Sequence, residues 1–256
     1  MKSTERFGNR VEDYVSSRPG YPEALVPWLM KQCGLSAGDV VADVGCGTGL
    51  FTRELLRQGL RVEGVEPNAP MRAAGDEFLA GFGSAFRSHD GTAEATGLAD
   101  HSVGLVTAAQ AFHWFRPEPV RAEFARILAP GGHVALIWNV RREDTPFLRG
   151  YEALLLAHAP EYAASGVPAQ ASLDILRPFF APSAFVEHSI PYAQHFDREG
   201  LRARLLSSSY APAAGTPGHE PMMRALDALF DAHQRQGQVA FEYDTRTFLG
   251  RPDPRA

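Results

Sequence analysis

The chain carries only two cysteines, Cys33 and Cys46. Neither sits at metal-ligand spacing, and the pair does not suggest a disulfide framework. A reducing, cytoplasmic setting is therefore the expectation. No apolar run reaches the length needed to span a bilayer, and Met1-Lys2-Ser3-Thr4-Glu5-Arg6 has no secretory apolar core. Internal repeats and low-complexity linkers are absent as well. Basic residues are in slight deficit, with a net charge of -5, which argues against electrostatic wrapping of nucleic acid. The histidines are scattered without ligand spacing, so no metal is expected. No nucleic-acid and no membrane partner is expected. The length and 45% hydrophobic content suit one large α/β domain with an ample core.

One stretch organises the rest. Val40-Val41-Ala42-Asp43-Val44 reads as a buried strand, Gly45-Cys46-Gly47-Thr48-Gly49 as a glycine turn, and Leu50 through Leu56 as the start of a helix. A strand, a glycine turn and a helix N-terminus form a nucleotide-type cradle at the carboxyl end of a sheet. A second strand, Arg61 to Val65, ends in Glu66, about twenty residues past the first glycine, where a ribose-binding carboxylate belongs. A dinucleotide site shares these features, but the spacing here is G-x-G-x-G, and Leu50 takes the last glycine place of G-x-G-x-x-G. Asp43, two residues before the first glycine, departs from the dehydrogenase pattern too.

With Asp43, the three glycines and Glu66 in place, the stretch resembles the signature of class I S-adenosylmethionine-dependent methyltransferases. The Leu128-Ala129-Pro130-Gly131-Gly132 turn before a strand matches that family as well. Phe7, Tyr14 and Arg18-Pro19-Gly20-Tyr21-Pro22 resemble a small-molecule subset that includes trans-aconitate methyltransferase-like proteins. In that subset this segment closes over the methionine end of the cofactor. The resemblance implies an α/β fold, a doubly wound Rossmann-like seven-stranded sheet with helical cap insertions. It implies S-adenosyl-L-methionine as cofactor and S-adenosyl-L-homocysteine as product.

Cofactor contacts are expected from Gly45, Cys46, Gly47 and Gly49 through backbone, and from Glu66 and the adjoining Pro67 at the ribose. Asp43 would orient the loop or reach the cofactor amino group. The family places Met71 on the adenine ring and takes contacts to its amino group from the loop holding Asp90, Thr92 and Ala93. Tyr14 and Arg18 would meet the cofactor carboxylate, since arginine binds that group with two parallel hydrogen bonds. Gln110 completes the expected shell.

The fourth strand, Val103 to Ala109, ends in Gln110-Ala111-Phe112-His113-Trp114-Phe115, and strand ends are where an open α/β sheet binds ligands. His113 is the candidate general base, because histidine titrates near neutral pH; a structural imidazole is the competing role. Tyr21, Phe112, Trp114 and Trp138 are expected to line the substrate pocket. Arg141, with Arg142, could bind an acidic substrate or form a solvated pair. The N-P-P-[YF] turn of nucleic-acid amino-methyltransferases is absent, its place held by Gln110-Ala111-Phe112-His113. The domain plan is a single unit: N-terminal lid helices over about 1–37, a cofactor core over 38–140, and a substrate cap with the last two strands over 141–256. Small-molecule methylation on oxygen, nitrogen or carbon is the expected activity, a carboxylate oxygen first. Non-methylating sulfonium chemistry, a nucleotide-binding oxidoreductase and a cofactor-binding protein without catalysis remain as alternatives.

Overall fold

The computed structural model describes residues 19–165, 173–208 and 210–252. Its centre is a seven-stranded sheet in the order β3-β2-β1-β4-β5-β7-β6. The strands are β1 (Val40–Val44), β2 (Arg61–Val65), β3 (Phe86–His89), β4 (Val103–Ala109), β5 (Leu128–Arg141), β6 (Phe185–Phe196) and β7 (Val239–Gly250). β1 to β5 pair in parallel, while β7 runs antiparallel between β5 and β6. The strand order reverses between β1 and β4, and an open α/β sheet binds its ligands outside the strand ends at that point.

Alternate residues of the strands feed two apolar layers. On one face α1 (Leu25–Cys33) and α2 (Leu50–Arg57) bring Leu25, Leu29, Phe51 and Leu55 against Val41, Val62, Leu105 and Ile137. Leu79, at the end of α3 (Ala69–Leu79), joins that layer. On the other face α4 (Pro117–Ile127) presents Val120, Phe124 and Ile127 to Ala42, Val44, Val106 and Leu136. The start of α3 is fixed by Asn68, whose side-chain oxygen accepts the Met71 N–H at 3.1 Å, a satisfied N-cap.

After β5 come α5 (Pro146–His158), α6 (Pro160–Ser165) and α7 (Leu173–Phe180). Between β6 and β7 lie α8 (Arg198–Leu206) and α9 (His219–His233). A third apolar cluster joins Phe147, Leu148, Tyr151 and Leu155 of α5 to Leu201 and Leu205 of α8, and to Met222, Leu226 and Phe230 of α9. It closes over Phe241 and Tyr243 of β7. α7 does not belong to this cap. Its Leu176, Phe179 and Phe180 lie in the α4 layer of the core, so the expectation that every helix after β5 covers the cofactor is corrected for this one. The reason is the strand face: Phe179 meets Phe112 and Phe124 edge-on at 4.8 and 6.3 Å, on the side of the sheet away from the cap.

β5 also differs from the expected start at His133. It begins at Leu128, with Gly131 at φ 83° inside it, and its pairing to β4 shifts register between Val103 and Leu105. The glycine turn is absorbed into the strand as an irregularity of the bulge type. β6 runs four residues past its expected end at Tyr192, because β7 pairs with it as far as Phe196↔Val239.

The loop between β3 and β4 is tied to α4 through Glu123. Its carboxylate accepts the Thr96 N–H at 2.8 Å and the Thr96 hydroxyl at 2.5 Å, and it pairs with Arg126. The Arg126 guanidinium beside it, with Thr96, lowers the Glu123 pKa from 4.5 to about 2. A depressed folded-state pKa stabilises the fold above the unfolded value and loses that stabilisation as pH falls. Urea unfolding of the wild type is therefore expected to weaken between pH 4.5 and about 2. Glu123→Gln should flatten this limb, since its side chain does not titrate.

Candidate cofactor and active site

The glycine turn leaves β1 at Gly45. Gly45 and Gly49 have φ of 70° and 84°, in the left-handed region that side chains resist. Their missing side chains also decide the packing. A Cβ on Gly45 would lie 2.7 Å from the Ala111 Cβ, and one on Gly49 would lie 2.6 Å from Leu79 Cδ1. The turn can therefore sit between the loop that follows β4 and the end of α3. The Gly45 and Cys46 N–H groups both donate to the Val65 carbonyl, at 2.8 and 3.2 Å, which fixes the turn to β2. Cys46 offers the site only its backbone, since its sulfur packs against Gly64 and burial pushes the thiol pKa well up.

Beneath the turn, Asp43 is 1% exposed. Its two oxygens accept the hydroxyls of Thr52 on α2 and Thr107 on β4, both at 2.7 Å. Burial raises its pKa to about 6, while the two threonine bonds work to lower it. Through its two oxygens Asp43 ties the turn to α2 and β4. Thr52 and Thr107 were not singled out from the sequence, and a threonine on each neighbouring element is the signal that could have found them.

Glu66 is 7% exposed at the end of β2. One oxygen accepts the Gly47 N–H at 3.0 Å and the other the Asn68 N–H at 2.8 Å. Burial raises its pKa, while the two backbone bonds and Arg72 work to lower it. Each carboxylate oxygen has room for about two hydrogen bonds, so each keeps one acceptor position, the requirement for two ribose hydroxyls. Met71 lies over the turn, its methyl 3.2 Å from where a Cβ on Gly47 would be. Pro67 is exposed beside Glu66. Arg72 links this helix to the next loop, donating to the Glu66 carbonyl at 2.7 Å and pairing with Asp90 at 3.2 Å. Thr92 and Asp90 are exposed and Ala93 is buried in the core.

At the end of β4, Gln110 has φ 57°. A left-handed non-glycine residue costs energy, and such residues gather at functional sites. Its N–H donates to the Ile137 carbonyl at 2.8 Å and its side chain to the Asn139 carbonyl at 3.4 Å. The strained residue turns the chain into a short 3-10 helix, Phe112–Trp114, that carries His113 outward. The protein around His113 lowers its pKa below 6.5, although the ring keeps an exposed face.

The expected pocket walls divide. Trp114 is 71% exposed and 4.9 Å from the His113 ring, at the mouth of the strand-end crevice. Phe112 and Trp138, 3% and 4% exposed, are core residues that meet edge-on at 6.2 Å. Their strand and turn positions aim them at the α4 layer, so neither offers a pocket surface. Tyr21 packs edge-on against Phe51 at 4.7 Å. Its neighbour Gly20 is held by Asn139, whose side-chain N–H group donates to the Gly20 carbonyl at 2.9 Å. Tyr14 and Arg18 lie outside the described residues. Arg141 and Arg142 do not act together: Arg142 is exposed and pairs with Asp144, while Arg141 turns inward to Glu152 and Tyr162. Among the described residues no cluster could hold a metal ion and no helix is long and apolar enough to cross a membrane.

Known proteins resemble the chain in sequence and in fold. Residues 42–136 match the model of a methyltransferase domain. An uncharacterized methyltransferase of Mycobacterium tuberculosis is 32% identical over 246 residues, covering 93% of this chain and 92% of that one. A methyltransferase-like protein of Schizosaccharomyces pombe, also uncharacterized, is 31% identical over 163 residues, 58% of this chain and 57% of its own length. Among solved structures, a protein of Anaeromyxobacter dehalogenans assigned provisionally to the type II methyltransferases superposes with a TM-score of 0.65 at 22% identity, over 93% of this chain and 99% of that one. The chain belongs to the methyltransferase family, enzymes whose methyl donor is S-adenosylmethionine.

Asp43→Ala should leave the buried Thr52 hydroxyl without its acceptor and Thr107 with only the Ala42 carbonyl at 3.3 Å, lowering unfolding stability by about 1–3 kcal/mol in urea titrations. Asp43→Asn keeps an acceptor and should cost less. A carboxyl raised on folding stabilises most below its unfolded pKa of 3.8, and that part fades as pH rises through about 6. The asparagine variant should lack this component of the pH profile.

Proposed function

We propose that the protein transfers a methyl group to a small-molecule acceptor at oxygen, nitrogen or carbon, a carboxylate oxygen being the first choice. The observation that carries this reading is the strained Gln110. It turns the β4 end so that Ala111 and Phe115 pack on Gly45, in the turn whose Gly47 N–H the Glu66 carboxylate accepts. When bound, S-adenosylmethionine supplies a methyl group on a sulfonium sulfur and departs as S-adenosylhomocysteine. The chain then has to place an acceptor in line with that methyl and keep water away.

In this reading the Glu66 carboxylate accepts the two ribose hydroxyls, Met71 covers the adenine side, and Asp90, Thr92 and Ala93 border its amino group. The glycine turn and Gln110 bring backbone toward the methionine portion, and Tyr14 and Arg18 meet its carboxylate. Burial lowers the His113 pKa and so favours the neutral ring, in which an imidazole nitrogen can take the proton an acceptor O–H or N–H loses. A carboxylate acceptor has no proton to lose and would need His113 only as a wall. Tyr21 and Trp114 line the approach. The setting is the cytoplasm.

Glu66→Ala is expected to weaken S-adenosylmethionine binding in calorimetry, and an unchanged affinity would sink its ribose assignment. His113→Ala should leave that affinity intact. Turnover should drop about 100- to 10,000-fold if His113 is the general base, and an undiminished turnover number would make it a wall. Chromatography of the reaction tests the methyl transfer itself. S-adenosylhomocysteine appearing with an added acceptor supports it, whereas methylthioadenosine above background shows a different sulfonium reaction.

A further inference from the structure

Among the described residues, the cap interior holds two arginines, Arg141 and Arg204, and one carboxylate, Glu152. Arg141, the last residue of β5, donates through Nη2 to Glu152 and, at 3.2 Å, to the Tyr162 hydroxyl. Tyr162 in turn donates to Glu152, so this carboxylate is held from two sides. Arg204 of α8 has no carboxylate partner among the described residues. Its Nη2 donates to the Tyr243 hydroxyl at 2.9 Å, and its guanidinium lies 5.0 Å over the Phe241 ring. The Nε of each arginine is buried with no hydrogen-bond partner. A guanidinium has five N–H donors, and Arg204 uses one of them here.

The two arginines converge. Arg141 and Tyr243 are register partners on adjacent strands, so the Arg204 partner stands beside Arg141. Arg141 also lies 5.5 Å over the Tyr151 ring, and the Tyr151 hydroxyl feels the charge of both guanidiniums. The phenols do not balance that charge. Burial pushes the Tyr151 pKa up, and burial with the Glu152 bond takes Tyr162 to about 12. The cluster thus holds two positive charges against one negative. A buried cation without a counter-ion is costly, and cation–π contact offsets only part of that cost.

Position ties the cluster to the crevice. Arg141 is two residues beyond Asn139, whose carbonyl Gln110 touches, about 7 Å farther along the strand. Alternation places Ile137, Asn139 and Arg141 on one face of β5, the face of α1, α2 and Gly20. An elongated acceptor could therefore have its reacting atom near Gln110 and its far end among the cap tyrosines.

We propose that Arg204, with Arg141, binds a carboxylate at the far end of the acceptor, away from the atom that receives the methyl group. This rests on the methyl-transfer reading above and adds a class to it, an acceptor with an anionic anchor and a separate nucleophile. A carboxylate gripped by a guanidinium fork has its lone pairs engaged, which makes it an anchor and a poor nucleophile. The Arg204 donors left unused supply the hydrogen bonds, and the anion supplies the missing charge.

The test uses the full chain with glutarate as the probe and its uncharged diamide as control, by calorimetry with and without S-adenosylmethionine. Glutarate should bind and the diamide should not. Hydrogen bonds to a charged group contribute about 1.5–3 kcal/mol, so Arg204→Gln should weaken glutarate about 10- to 100-fold with S-adenosylmethionine affinity unchanged. Should that variant fail to fold, Arg204→Lys keeps charge and stem but loses the planar fork, and it should also bind glutarate more weakly. No glutarate binding at millimolar concentration, equal binding of the diamide, or unchanged glutarate affinity in the folded Arg204 variant each overturns the proposal. Arg204-dependent glutarate binding by a chain that yields no S-adenosylhomocysteine would break the methyl-transfer reading alone.

Discussion

A carboxylate with no access to water holds three elements together. Asp43 sits on β1, Thr52 on the helix that follows the glycine turn, and Thr107 on β4 across the switch point. Each threonine hydroxyl needs an acceptor once buried, and one side chain serves both. The turn hangs between these anchors, so its path is decided below it. From there the dependence spreads outward. The turn places the Gly47 N–H on Glu66, Glu66 in turn accepts the Asn68 N–H, and Asn68 caps α3, whose last leucine packs back against Gly49. A closed circuit of hydrogen bonds and packing thus surrounds the Glu66 carboxylate.

Much of that circuit could be read from the chain because its signals are local. Strand, glycine turn and helix succeed one another between Val40 and Arg57, and Glu66 ends the next strand. What was hidden depends on pairings made across the sheet. Whether Phe112 and Trp138 face a pocket or a core is a question of strand parity, and an aromatic residue at a strand end gives no hint of its face. Arg204 looked like any polar helix residue. Its importance comes from Tyr243, which lies 39 residues away and reaches it only because β7 inserts where it does. α7 was misplaced for the same reason, since an amphipathic helix shows that it has an apolar face without showing which layer that face meets.

The cap and the core also differ in how their charges are handled. Around the glycine turn the ionisable groups are carboxylates, each with its hydrogen bonds supplied by backbone or hydroxyl donors. In the cap interior the ionisable groups are mainly guanidiniums and phenols, laid against aromatic faces. The first arrangement suits hydroxyl-bearing ligands and the second suits anions, so the two ends of the crevice differ in chemical preference.

β7 lies between β5 and β6, though it follows both in the chain. On a ribosome, β6 emerges with no neighbour to pair with, and the sheet keeps a gap one strand wide until β7 has been made. Tyr243 and the Thr245 hydroxyl that Asn139 accepts at 2.6 Å both arrive with that strand, so Asn139 of β5, which holds Gly20, gains this partner last. The cofactor half can form its parallel strands early, while the acceptor half must wait for the last insertion. Such long-range closure is slow and leaves strand edges open in the interval. A nascent chain would therefore pass through a stage with the parallel strands paired and the cap cluster over Phe241 and Tyr243 not yet closed.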